Sequence, residues 1–237
     1  MRYSACMNVY PPQFQRPSKN ARKEGEDSRQ RLLQAGLRLF AQQGFAKTST
    51  RELAEAAAVN VASISYYYGD KAGLYRAVFF EPMGDPAEDV ARFSDPTLPL
   101  ADALRGFYAG FLQPLRDGDA ARLCMKLHFR EMLEPTGLWE EEISRGIRPL
   151  HDALLALLCR EFGLATADDD VLRLGICIAA LGVHLHLARD VTDQLAPGLN
   201  TQPDAIDRWS DSLTRFGLAM VEAERQRRTA AAAETPR

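Results

Sequence analysis

The chain is poor in cysteine, and its cysteines are badly spaced for chemistry. Cys6, Cys124, Cys159 and Cys177 are scattered, with no Cys-x-x-Cys pair among them, which argues against a disulfide framework and against a zinc clip. The four histidines are no better grouped: His184 and His186 stand two apart, so on a helix they point to nearly opposite sides. No metal and no cofactor are expected. Long apolar runs are missing as well. The most apolar stretch, 172–187, is interrupted by Arg173, His184 and His186 and falls short of the about 20 residues that span a bilayer. Residues 1–31 contain no continuous apolar core of the signal-peptide kind. A cytoplasmic protein without a membrane partner is the expectation. The chain also lacks a Gly-rich phosphate loop, a Gly-x-Ser-x-Gly elbow and a His-Glu-x-x-His pair, so an enzyme is not expected. β-Branched residues are sparse and alternating patterns absent, which points to an all-α fold.

Charge, by contrast, is segregated. The net charge of −3 over 237 residues hides a basic N-terminal part: residues 1–80 hold 12 Lys and Arg against 6 Asp and Glu, and the remainder holds 17 against 26. A basic head on an acidic trunk suits a protein that meets a polyanion with one end. Terminal segments are often basic for solubility alone, and Arg2, Arg16, Lys19, Arg22 and Lys23 supply five of the twelve positive charges. The asymmetry therefore supports a nucleic-acid motif without replacing one.

Helix punctuation supplies that motif. Residues 1–25 show no period and read as a disordered basic arm. From Asp27 the pattern becomes helical, with Leu33, Leu37, Phe40 and Ala41 on one stripe and Gly44 as the stop. Ser49 is placed to cap a second helix, with Glu52 completing a capping box. A turn at 58–60 leads to a third short helix, Val61–Tyr67, from which Ile64 and Tyr68 point inward. Asp70 caps a fourth carrying Leu74, Tyr75, Val78 and Phe79, and Pro82 ends or kinks it. Two short helices around a tight turn are the arrangement that places one helix in the DNA major groove. We expect a three-helix helix-turn-helix domain over 26–81 and a Pro- and Asp-rich linker over 82–99. A larger helical bundle follows over 100–228, with a tail at 229–237. The bundle should hold helices at 100–116, 119–133, 137–162, 168–189 and 203–227, with a kink at Pro149, making about nine helices in all.

Gly44-Phe45, Ser49-Thr50-Arg51-Glu52-Leu53-Ala54, Tyr66-Tyr67-Tyr68, Asp70-Lys71 and Leu74-Tyr75 together resemble the DNA-binding domain of the TetR family of one-component bacterial regulators. The segment Asn60–Gly69 is similar to a branch that includes the CecR-like regulators. So are Arg130–Thr136 and Ile147-Arg148-Pro149-Leu150 in the trunk. Two positions depart from the family. Ser65 replaces a frequent Tyr, and Ala58 stands where Gly is usual. A left-handed residue with a Cβ costs roughly 1–2 kcal/mol, so the turn is either strained or differently wound.

The resemblance implies residue roles. Ser49, Thr50 and Arg51 at the start of the second helix, with Tyr67 and Lys71, would hold DNA phosphates. Asn60, Val61, Ala62, Ser63 and Tyr66 would read bases, Asn60 facing adenine and Ala62 a thymine methyl. Tyr68 is expected to pack. The last two long helices should form a homodimer interface through a ridge of Gly175, Ala179 and Gly182 with Trp209, Leu213, Phe216 and Met220, although an intramolecular core would use the same residues. A small-molecule effector would sit among Phe107, Phe111, Met125, His128, Phe129, Met132 and Trp139, for each of which ordinary core packing competes. The implied protein is a ligand-responsive regulator of double-stranded DNA, in most relatives a repressor that grips a palindromic operator as a dimer and is released by its effector. The rival is a DNA-binding architectural protein with no ligand.

Overall fold

A computed structural model of the chain describes residues 19–234. Residues 1–18 of the expected arm therefore lie outside the described residues. The first helix, α1 (Lys19–Gln43), already begins at Lys19 rather than at Asp27. Three short helices follow as α2 (Thr50–Ala56), α3 (Ala62–Tyr68) and α4 (Lys71–Phe80). A 3-10 turn, Glu81–Met83, and α5 (Pro86–Ala91) lead into the trunk. The trunk comprises α6 (Leu100–Arg116), α7 (Asp119–Leu133), α8 (Trp139–Glu142), α9 (Arg148–Phe162), α10 (Asp169–Leu187), α11 (Arg189–Leu195) and α12 (Ala205–Glu234). No strand occurs among the described residues.

Local chemistry explains where these helices start and stop. Ser49 and Glu52 form the full reciprocal capping box at α2, and Asp70 accepts from the Gly73 amide at the start of α4. Leu74, Tyr75, Val78 and Phe79 make one buried stripe on α4. They join Leu32, Phe40, Leu53 and Ile64 in the head core. A second core fills the trunk around Phe93, Leu104, Phe107, Tyr108, Leu112, Leu154, Leu158, Ile178 and Val221. Among the described residues α10 is the one helix long and apolar enough to cross a membrane by length and composition. Its Val171, Leu174, Ile178 and Leu185 belong to the trunk core.

Four expectations need correction. The 82–99 stretch is not a loose joint: Asp85 accepts from the Ala87 amide, Pro86 occupies the first turn of α5, and Glu88 and Asp89 follow. Pro and Asp there are helix-start chemistry, which reads in sequence like linker composition. Phe93 then fastens the segment to the trunk, 1% exposed and edge-on to Phe107 at 5.2 Å. The expected tail is helical through Glu234, because an Ala-rich run is the best helix former available. The expected 137–162 helix is divided: α8 passes through a π turn, Ile143–Ile147, into α9, with Pro149 in the first turn of α9. The widened turn lies just before Pro149, which has no N–H to give to a carbonyl of the preceding turn. The short α11 lies almost wholly between the expected 168–189 and 203–227 helices.

Ala58 is the strained alternative realised. Its φ of +52° is the one positive value at a non-glycine residue among those described. Ala58→Gly should relieve roughly 1–2 kcal/mol of Cβ strain against about 0.5–1 kcal/mol of added chain entropy. The expected outcome is a melting temperature higher by about 2–4 °C, read by thermal unfolding; a decrease would show that the turn is not strained.

Candidate DNA-binding face and its seat on the trunk

The α2–turn–α3 unit presents a short, outward-facing helix. Ile64 of α3 is buried in the head core, whereas Val61, Ala62, Ser65 and Tyr66 are exposed and Ser63 is half-buried. Tyr66 is 82% exposed, with its ring edge-on to Tyr67 at 4.8 Å. Tyr67 is half-buried. The Tyr68 hydroxyl donates to the Arg29 carbonyl at 3.0 Å, tying α3 to α1, and burial pushes its phenol up to about 12.

Two residues expected to meet DNA are engaged within the chain. The Asn60 carboxamide oxygen accepts from the Ala62 amide at 2.8 Å, so it caps α3 with one of its two lone pairs and the side chain is held in that orientation. Lys71 donates from Nζ to the Phe45 carbonyl at 2.8 Å and the Thr48 carbonyl at 2.9 Å. Its ammonium also lies 4.2 Å from the centre of the Phe45 ring. Lys71 thus clamps the loop between α1 and α2 to the start of α4. Sequence spacing could not show this, because the partners are backbone carbonyls more than twenty positions away. Ser49 spends its hydroxyl oxygen on the Glu52 amide at 3.1 Å, while Thr50 and Arg51 are exposed. Arg51 pairs with Glu55 at 2.9 Å on the surface, a contact weak enough to exchange for a phosphate.

The head sits on α7 through α1 and α4, with Leu127 of α7 buried in the head core, and α4 also reaches α8. The Tyr75 hydroxyl donates to Glu131 at 2.8 Å, and Phe79 stacks on His128 with ring centres 4.0 Å apart. Arg76 grips both oxygens of Glu141 at 2.5 Å each, and Arg145 donates to the same carboxylate at 2.7 Å. These two guanidinium groups, Arg76 first, hold the Glu141 carboxyl down at about 2. His128 Nδ1 donates to the Cys124 carbonyl at 2.9 Å, whereas its Nε2 is buried without a hydrogen-bond partner among the described residues. Burial lowers its basicity. Glu131 belongs to the Arg130–Thr136 segment of the resemblance, but a lone Glu on an amphipathic helix gives no sign of burial by residue type alone. Its phase was the available signal, since Cys124, Leu127, His128 and Glu131 share the buried stripe of α7.

The seven residues expected around an effector do not form one set. Phe107 and Phe111 pack together at 5.1 Å in the trunk, and Phe129 lies 6.2 Å from His186. His128 belongs to the head seat. Met125 and Trp139 are half-buried and Met132 is exposed. A shallow, open surface hollow of about 420 Å³ lies away from them, beside Val90, Arg145 and Pro149. The expected dimer ridge is also partly turned inward. A Cβ on Gly175 would come within 2.9 Å of Leu155, and one on Gly182 within 2.8 Å of Phe111. Those glycines permit close packing inside the trunk, where Leu213 is likewise buried. Ala179, Trp209 and Met220 are half-buried, while Phe216 is exposed on α12. The outward apolar residues of α10 are Leu172, Ile176 and Leu187, one position away from the ridge read in the sequence.

Known proteins match both halves of the chain. Residues 32–78 match the family described as bacterial regulatory proteins, tetR family, and residues 100–223 match the C-terminal domain of the HTH-type transcriptional dual regulator CecR. The CecR regulator of Shigella flexneri is 31% identical over 159 residues, covering 61% of this chain and 69% of that protein. The HTH-type transcriptional regulator RutR of Escherichia coli strain K12 is 32% identical over 129 residues, covering 54% of this chain and 58% of the relative. Among solved structures, a bacterial regulatory protein in the tetR family from Rhodococcus RHA1 superposes with a TM-score of 0.62 at 17% identity, covering 82% of this chain and 96% of its own. HlyIIR, a hemolysin II transcriptional regulator, gives 0.56 at 20% identity, covering 80% and 98%. Both structural likenesses concern the fold.

Proposed function

The chain belongs to the TetR family of DNA-binding transcriptional regulators, with a CecR-type C-terminal domain, and from that premise we propose that it is a repressor that grips a two-fold operator as a homodimer and lets go when a small molecule enters its trunk. The observation that carries the DNA half is the face of α3: Val61, Ala62 and Tyr66 stand outward on a helix held by Ile64 below and the Asn60 cap in front. Small residues beside one large amphipathic ring let such a helix lie deep in a major groove. One short helix reads too few base pairs for selectivity, and pairing supplies the second. Leu172, Ile176 and Phe216, exposed on α10 and α12, are the apolar area we assign to that pairing.

The release half rests on the seat. α1 and α4 of the head both touch α7 directly, so a ligand that favours another arrangement of α7 changes where the head sits. We place the effector near Phe111 and Phe129, where half-buried aromatic rings of α6 and α7 approach α10. Mobility-shift titration on the chain's own upstream region, with a panel of small amphipathic compounds, tests the whole reading. The expected result is a saturable complex that one compound class dissolves while raising the melting temperature of the free protein. Binding to that region that no compound disturbs, with no thermal shift in the panel, supports the ligand-independent architectural protein instead.

A further inference from the structure

We propose that Glu131 positions the DNA-reading head: its buried carboxylate holds Tyr75 of α4 and the 134–138 loop in one register, and the separation of the two α3 helices in the paired molecule depends on that bond. The inference rests on the dimeric reading above and names a residue that sets its geometry.

Glu131 is completely buried. A carboxylate away from water is tolerated only when its oxygens are occupied by donors, and here they are. Oε1 accepts from the backbone amides of Thr136 at 2.7 Å and Leu138 at 3.1 Å. The Thr136 hydroxyl lies within 3.1 Å of both oxygens. Oε2 accepts from the Tyr75 hydroxyl at 2.8 Å. Tyr75 is the one donor in this set from the head; the others come from the loop that follows α7. The Tyr75 ring is wedged edge-on between Phe40 of α1 at 4.9 Å and Phe45 before α2 at 5.1 Å. Its body thus belongs to the head core and its hydroxyl to the trunk.

α1 packs broadly on α7 around Leu127 and holds the head to the trunk, whereas the other contacts made by α4 itself are less able to fix its direction. Arg76 and Glu141 are partly exposed, with side chains 47% and 27% accessible, so water and salt weaken the pair. The Phe79–His128 stack resists separation more than sliding. The loop held by Glu131 leads into α8, which carries Glu141. One carboxylate therefore sets both the Tyr75 contact and the place from which α8 reaches Arg76. A small rotation of α4 carries α3 with it, because the two helices pack on each other through the head core.

Tyr75→Phe removes one hydroxyl and leaves the loop donors of Glu131 in place. Thr136→Val removes a hydroxyl from the same carboxylate on the trunk side and leaves the Tyr75 bond. Both are titrated on the duplex that the wild-type chain enriches from a random library and on that duplex cut to one half-site. Tyr75→Phe is expected to weaken the full site by about tenfold to a hundredfold, through loss of simultaneous engagement, with half-site binding unchanged. Thr136→Val should lower the melting temperature comparably and leave the full site alone. A DNA-free arm uses spin labels at Ala46→Cys and Ala165→Cys, with Cys6→Ser and Cys177→Ser, each labelled chain diluted in unlabelled protein. Tyr75→Phe should broaden or shift the head-to-trunk distance, and Thr136→Val should not. Equal losses on full and half sites, or an unchanged distance in Tyr75→Phe, overturn the proposal. If the wild-type chain enriches no duplex, the regulator reading of the operator falls, and the spin-label distance alone decides the role of Glu131.

Discussion

Lys71→Met is expected to destabilise the head by about 2 kcal/mol and to weaken DNA binding at every sequence. Two charge-assisted hydrogen bonds that the ammonium donates to the carbonyls of Phe45 and Thr48 are lost, and such bonds contribute about 1.5–3 kcal/mol each before discounting for partial exposure. The Phe45 ring also loses its cation. Methionine preserves most of the side-chain volume, so the loss reports the clamp and not a cavity. The two carbonyls hold the loop that delivers Ser49 to the start of α2, and loosening it misplaces the whole helix pair. Thermal unfolding and salt-dependent DNA titration separate this from a simple phosphate role. A residue that only meets a phosphate leaves the melting temperature untouched and reduces the salt slope by about one unit. An unchanged melting temperature would therefore refute the clamp.

Tyr66→Ala should do the reverse, sparing the fold and harming recognition. At 82% exposure the ring contributes little to the core, and surface truncations fall within about 0.5 kcal/mol. A major-groove contact of its size is worth about 1–3 kcal/mol of discrimination, so specific binding should weaken by about tenfold or more with little change in non-specific binding. Isothermal titration on specific and scrambled duplexes reads both quantities. If specific and scrambled duplexes lose affinity equally, Tyr66 is a backbone contact and the base-reading face lies elsewhere on α3.

The parts of this protein that could be read from its sequence are those governed by neighbours three or four positions apart. Ser49 with Glu52 and Asp70 with Gly73 mark helix starts, and Gly44 marks a stop, because capping bonds close within one turn. Ala58 stands out through the family resemblance, since Gly is usual there and a left-handed turn tolerates a Cβ only at a cost. What could not be read depends on partners distant in the chain. Lys71 looks like any basic residue after a recognition helix until Phe45 and Thr48 are brought beneath it. Gly175 and Gly182 look like an outward ridge, since small residues suit a helix crossing on either side. Leu155 and Phe111 decide that the ridge faces inward. The 82–99 stretch shows a third limit, because the Pro and Asp that start α5 are the residues that also make linkers.

Selection of duplexes from a random library by the full chain, followed by footprinting of the winners, tests the central claim most directly. The account predicts two inverted half-sites whose centres lie about one helical turn apart or a multiple of it, protected together and lost when Tyr66 is replaced by alanine. Enrichment of a single unpaired motif, or none at low salt, would contradict it.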